Sequence, residues 1–227
     1  MSVEFCGLEL AHPIINGSGT FDAIAARRAF GEELIERFPF AAFVSKTVTL
    51  DPRQGNPPPR LWELAGGLIN SIGLPNKGVA GYLEHDLPEL ARLPVPLIVN
   101  VMGFSRDEVT ELVRAFAERE EVAALELNVS CPNVETGLMM GADPGEIDRL
   151  LARVRPITAK PLIVKLTPNA SDVPAVARAA EEGGADAHDL MRAGASLVAV
   201  GTESFRDPAA GLRIAHELVE LLANSTV

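Results

Sequence analysis

The chain has 227 residues, 47% of them apolar and 22% charged, enough for one large domain with its own core. A formal net charge of −11 and a pI near 4.9 argue against a nucleic-acid partner, and an anionic ligand would need a local cationic pocket. Two cysteines, Cys6 and Cys131, make no disulfide framework. Residues 1–10 lack the pattern of a signal peptide, and no run reaches the roughly 18 apolar residues of a membrane span. These features predict a cytoplasmic protein in a reducing compartment, with no membrane partner. Aromatics are only 5%, so the core is expected to be built from aliphatic side chains and Ala.

The first apolar run, 13–16, reads as a strand ending in Gly17-Ser18-Gly19-Thr20. The second, 41–46, ends on Lys46. A proline-rich polar stretch, 51–60, follows and is read as an ordered loop over a site or at an interface. The third strand, 96–101, ends near Asn100 and leads to an amphipathic helix at 107–118. The fourth, 123–128, ends in Asn128, with a helix at 144–154 beyond it. The fifth, 161–166, carries Lys165 and precedes helical patterns at 173–182 and 188–193. The last, 196–200, ends in Gly201-Thr202.

Continuous apolar strands alternating with helices mean a parallel sheet covered by helices. Glycines and polar residues gather at the strands' C-terminal ends, where sites form in such folds. Gly17-Ser18-Gly19 is too short for a dinucleotide fingerprint, which favours a TIM (β/α)8-type barrel over an open sheet. The count falls short of a full barrel, which needs eight strands and about 250 residues. Gly183-Gly184-Ala185-Asp186 should introduce another buried strand, yet a helical pattern follows at once. A strand, a helix and a further strand are absent at Ala187/His188, about two strands of the barrel. The reading is a single domain, 1–227, with a deletion or omitted segment there.

Several segments carry chemistry. Asn128-Val129-Ser130-Cys131-Pro132-Asn133 puts a thiol among amides on a loop directly after a strand. A buried, inert cysteine is the bland alternative. Lys46, in Ser45-Lys46-Thr47, and Lys165, in Val164-Lys165-Leu166, each end an apolar strand. Either alone could be a snorkelling side chain, but two at one end of a sheet suggest an anion or flavin site. Asn70-Ser71-Ile72-Gly73-Leu74 is either a polar turn or a grip on a small planar ligand. Gly201-Thr202 could cradle a phosphate. The four histidines, His12, His85, His188 and His216, show no metal-ligand spacing.

In this order, the segments resemble the dihydroorotate dehydrogenase family. The likeness runs from about residue 3 to 186 and resumes at about 189, reaching 208 or beyond. It implies FMN lying across the barrel top, touched by Ser18, Lys46, Thr47, Asn100, Asn128 and Lys165, with its phosphate on Gly201 and Thr202. It implies a pyrimidine held by Lys46, Asn70, Ser71, Ile72, Gly73, Leu74, Asn128 and Asn133. Cys131 resembles the general base of the soluble class, where the membrane-bound class uses serine. It would take the C5 proton of dihydroorotate while the C6 hydride passes to the flavin. Residues 16–21 and 55–60 look most like the NAD-linked subclass, whose partner is an iron–sulfur subunit carrying FAD and a [2Fe–2S] cluster. A homodimer core is implied as well. Nothing here matches the family's Asn-Thr pair after the sixth strand, or its glycine-rich loops after the sixth and seventh. A non-catalytic remnant, or another flavin-dependent pyrimidine oxidoreductase, are the rival readings.

Overall fold

All six expected strands form, and the last lies beside the first. The computed structural model describes residues 2–64, 67–130, 144–165, 196–201 and 203–224. The strands are β3 (Ile14–Asn16), β4 (Phe43–Val44), β7 (Leu97–Val101), β8 (Ala124–Asn128), β9 (Leu162–Lys165) and β10 (Val198–Val200). β4, β7, β8 and β9 pair in sequence and in parallel, and β10 pairs in parallel with β3. The order β10-β3-β4-β7-β8-β9 is the chain order turned by one place. An open doubly wound sheet reverses direction from its middle, whereas a barrel brings its last strand back to its first. Among the described residues nothing pairs with the outer edges of β9 and β10, so the barrel is not closed. The helical patterns at 173–182 and 188–193, and the junction at Ala187/His188, lie outside the described residues.

The join between β3 and β4 depends on one side chain. Ala41 donates its N–H to the Ile14 carbonyl at 2.9 Å. Beyond that point Asn16 takes over: its Nδ2 donates to the Val44 carbonyl and its Oδ1 accepts from the Val44 N–H, each at 2.8 Å. A fully buried amide thus stands in for a rung of the ladder.

Strand alternation divides the core into two layers. Val99, Val101, Leu125 and Leu127 face outward and belong to one cluster with Val109, Leu112, Val113 and Phe116 of α4 (Arg106–Ala117) and Leu150 and Val154 of α5 (Pro144–Val154). Ile15, Val44, Ile98 and Ala124 form a second cluster inside the arc, with Ile163 and Ala199 packed against it. A hairpin absent from the sequence reading plugs the bottom of this lumen: β1 (Val3–Phe5) and β2 (Leu8–Leu10) bring in Phe5, Leu8 and Leu10. Its two-residue turn puts Cys6 and Gly7 at φ 51 and 77, as tight hairpins require.

The expectation of an aliphatic core needs one correction. Phe21, Phe38, Phe40 and Phe43 stack edge to face, with centroids 5.3 to 6.4 Å apart, so the few aromatics are concentrated beneath β4. Against this knot lies α7 (Ala210–Asn224), which follows the short α6 (Glu203–Arg206). A Cβ on Gly211 would sit 2.2 Å from the Pro39 carbonyl oxygen, so glycine alone permits that approach.

Three other helices belong to the described shell: α1 (Ala23–Phe30), followed by the short α2 (Glu33–Glu36), and α3 over 78–90, which includes the π-helical turn Tyr82–Asp86. A second hairpin, β5 (Leu61–Leu64) and β6 (Gly67–Asn70), projects after the proline-rich loop.

Candidate functional site

The two-residue repeat that makes the lumen apolar at the bottom makes it polar at the top. Ile98 is followed on its face by Asn100, Ala124 by Glu126 and Asn128, and Ile163 by Lys165. Register sets Asn100 opposite Glu126, and Asn128 opposite Lys165. Lys46 stands just past the end of β4. Apolar side chains fill the floor, and cations, amides and one carboxylate stand above them.

A cleft of about 260 Å³ opens over this ring. Ser18, Lys46, Thr47, Asn70, Ile72, Leu74 and Lys165 line it, joined by Gly19, Thr20, Pro75 and Phe205. Residues distant in sequence, from five separate segments, therefore meet at one place. A neighbouring cavity of about 420 Å³ shares Lys46, Thr47 and Pro75 with it. Asn100 and Asn128 are buried below and do not line the cleft. Ser71 and Gly73 lie in the same loop as its lining residues. Gly201 is buried at the end of β10, next to Gly17, whose N–H donates to the Val200 carbonyl at 2.9 Å. Cys131, Asn133 and Thr202 lie outside the described residues.

Local bonding holds each lining segment. Ser18 Oγ donates to the Ser45 carbonyl at 2.8 Å, and Thr20 Oγ1 to the carbonyls of Gly17 and Val200 at 2.7 and 3.0 Å. The 70–76 loop is laced to the proline-rich stretch. Asn56 N–H donates to the Ile72 carbonyl at 3.0 Å, and Asn56 Nδ2 to Ser71 Oγ at 2.8 Å. Arg53 and Asn76 exchange backbone bonds at 2.8 and 2.9 Å. Gly73 sits at φ 77, where a Cβ would lie 2.5 Å from the Asn56 nitrogen. The stretch expected to be an ordered loop, 51–60, is thus held to the 70–76 loop by backbone bonds and amides. Asn128 Oδ1 accepts from the N–H and Oγ of Ser130, which fixes the chain one residue before Cys131.

Lys46 is paired: its Nζ lies 2.8 Å from Asp22 Oδ2. Asp22 also caps α1, accepting from the Ala25 N–H at 2.9 Å. Burial alone would raise the Asp22 carboxyl, but the Lys46 and backbone donors outweigh it and hold its pKa below the ordinary value. Its stabilising contribution is therefore present above the unfolded carboxyl range, about pH 4, and lost as the pH falls through the folded value. Asp22→Asn keeps the cap and removes the charge. Urea melts should show wild type ahead of the variant near neutrality by under about 1 kcal/mol, because both side chains are part-exposed. That lead should vanish in acid, and a lead that persists there would mean the ion pair contributes nothing.

Sequence reasoning missed Asp22, Glu126 and Phe205. Asp22 carried the ordinary signal of an N-cap before a helix. Glu126 lay hidden in an apolar run whose alternation, read at Ala124 and Asn128, would have placed it in the lumen.

The donor set fits a flavin. A flavin ring presents carbonyl acceptors and a single N–H donor, and FMN adds a phosphate. The Lys46 and Lys165 ammonium groups and the Thr47 hydroxyl at the cleft match the acceptors, while the Ser18 and Thr20 hydroxyls donate to backbone carbonyls. Below them, Asn100 Oδ1 is buried with no hydrogen-bond partner among the described residues. Among the described residues there is also no cluster of His, Cys, Asp or Glu able to hold a metal, and no helix long and apolar enough to cross a membrane.

Comparison with known proteins agrees with this geometry. The family model described as dihydroorotate dehydrogenase matches residues 1–185. The dihydroorotate dehydrogenase B (NAD(+)) catalytic subunit of Pelobacter propionicus is 42% identical over 195 residues, covering 84% of this chain and 62% of that protein. Its namesake from Caldicellulosiruptor saccharolyticus is 39% identical over 208 residues, covering 90% of this chain and 66% of that one. That from Geobacter sp. (strain M21) is 32% identical over 295 aligned positions, more than this chain has residues, covering all of this chain and 94% of that one. The chain spans 62% of the length of the first two relatives it matches. In fold it is similar to the DHODH of Eimeria tenella solved with ferulenol, with a TM-score of 0.76 at 19% identity, over 99% of this chain and 85% of that one.

Proposed function

The chain belongs to the dihydroorotate dehydrogenase family, and from that premise we propose that it oxidises dihydroorotate to orotate with FMN, in de novo pyrimidine (UMP) synthesis. The observation that carries this reading is the meeting of Ser18, Lys46, Thr47, Asn70 and Lys165 on one cleft above an apolar lumen. When bound, FMN supplies the hydride acceptor. Ser18, Lys46, Thr47, Asn100, Asn128 and Lys165 hold its ring, and Gly201 and Thr202 its phosphate. Lys46 and the residues Asn70, Ser71, Ile72, Gly73 and Leu74, with Asn128 and Asn133, orient the pyrimidine and counter its carboxylate. Cys131 removes the C5 proton. The Lys165 ammonium offsets the negative charge a flavin gains on reduction.

Electrons leave to NAD through an iron–sulfur subunit carrying FAD and a [2Fe–2S] cluster, a reading supported by the names of the relatives, which are catalytic subunits. A homodimer core in the cytoplasm, and a single domain interrupted near Ala187/His188, complete the proposal. The family match that stops at residue 185 supports the interruption.

The test is direct. Purified chain incubated with FMN should turn yellow, retain the flavin through desalting, and reduce an artificial acceptor with dihydroorotate but not with dihydrouracil. A chain that stays colourless would instead support a non-catalytic remnant, the second reading.

A further inference from the structure

Most of the lumen floor is aliphatic: Ile98, Ala124 and Ile163 present no polar atom. Above that floor Glu126 is the one carboxylate among the described residues, level with the Asn100 amide. A carboxylate half-buried there costs free energy that an aliphatic side chain of similar volume would not, so its presence calls for a role beyond packing. Its Oε1 accepts from Asn100 Nδ2 across the β7–β8 pair. On the other side it stands one pleat below Asn128, the register partner of Lys165 across β8–β9. Neighbours at this diagonal lie within reach of long side chains. Burial raises the Glu126 carboxyl's pKa, while the Asn100 amide and the Lys165 charge draw it back down.

We infer that Glu126 is a positioning residue of the flavin site: its carboxylate counters the Lys165 ammonium and fixes the Asn100 amide, and so sets how strongly the cleft favours reduced over oxidised flavin. The inference rests on the flavin reading above. Glu126 itself does not line the cleft and acts only through the Asn100 amide it bonds and the Lys165 charge it faces.

The sign follows from charge. Lys165 favours the ligand form that carries extra negative charge, and a carboxylate beside it weakens that preference. Glu126→Gln removes the charge, keeps the shape and can still accept from Asn100. The site's preference for reduced over oxidised FMN should rise about tenfold, which for a two-electron couple is about 30 mV upward in midpoint potential. The potential would be read by dye equilibration, and the affinity for oxidised FMN by fluorescence titration of the same protein. Glu126→Met, also neutral and of similar length, carries the same prediction should Gln fail to fold.

A potential that stays put or moves downward overturns the inference. So does an equal loss of affinity for both redox forms, which is what a merely structural role would produce. A wild-type chain that binds no FMN overturns the flavin reading, and this inference with it. A chain that binds FMN while the Gln variant keeps its potential overturns this inference alone.

Discussion

Cys131→Ala is expected to slow reduction of bound FMN by dihydroorotate about 10²-fold or more, the usual cost of losing a general base. A thiol's ordinary pKa of about 8.5 is near enough to neutrality for proton abstraction after modest tuning. Asn128 closes β8, and its Oδ1 takes both donors of Ser130, so the backbone enters Cys131 from a fixed point at the top of the lumen. Rapid mixing of anaerobic enzyme with dihydroorotate, followed at the flavin absorbance, isolates this half-reaction from whatever accepts the electrons. Cys131→Ser should retain a smaller part of the activity, because a hydroxyl is the poorer base. An Ala variant that bleaches its flavin at the wild-type rate would assign the proton to another group.

The largest effect on stability is expected at Asn16. Its amide gives the Val44 N–H and carbonyl their partners at 2.8 Å, inside a fully buried join between β3 and β4. Asn16→Ala would leave a buried donor and a buried acceptor unpaired, at about 1–3 kcal/mol each. A total near 3 kcal/mol is a large share of a typical domain's stability. Urea denaturation should show the midpoint falling with little change in slope. A loss below about 0.5 kcal/mol would mean that water or a shifted backbone replaces the amide. Ser18 and Thr20 follow directly on this strand, so a weakened join should also loosen the cleft wall they form.

Much of this arrangement was legible in the residues, because it rests on short-range rules. Runs such as Leu97–Val101 and Ala124–Asn128 are too apolar and too short for anything but buried strands. The helix expected at 107–118 forms at Arg106–Ala117, starting where Ser105 Oγ accepts from the Glu108 N–H, a Ser-x-x-Glu signal that would have set the boundary. The second strand shrank from 41–46 to Phe43–Val44, because Lys46 and its neighbours turn toward Asp22 and the cleft and leave the ladder.

What stayed hidden depended on distant partners. The hairpin of Val3–Phe5 and Leu8–Leu10 has strands of only three residues, and it makes sense only as a plug for a lumen built later in the chain. The convergence of Lys46 and Lys165 was inferred from their common position at strand ends. Lys46's fixed pairing with Asp22, and Glu126's place beneath Lys165, needed the register of neighbouring strands.

The projecting hairpin has a practical consequence for how this molecule can be followed in solution. Trp62, the only tryptophan, stands on it with 65% of its surface in solvent, alongside exposed Leu61, Leu64 and Ile69. Its emission will already be close to that of free indole before any denaturant is added, so a tryptophan melt would stay nearly flat while the barrel came apart. The same ring is well placed to report anything that comes to rest on that hairpin, through a blue shift. Tyr82, the only tyrosine and buried in the main core, is the better witness to unfolding.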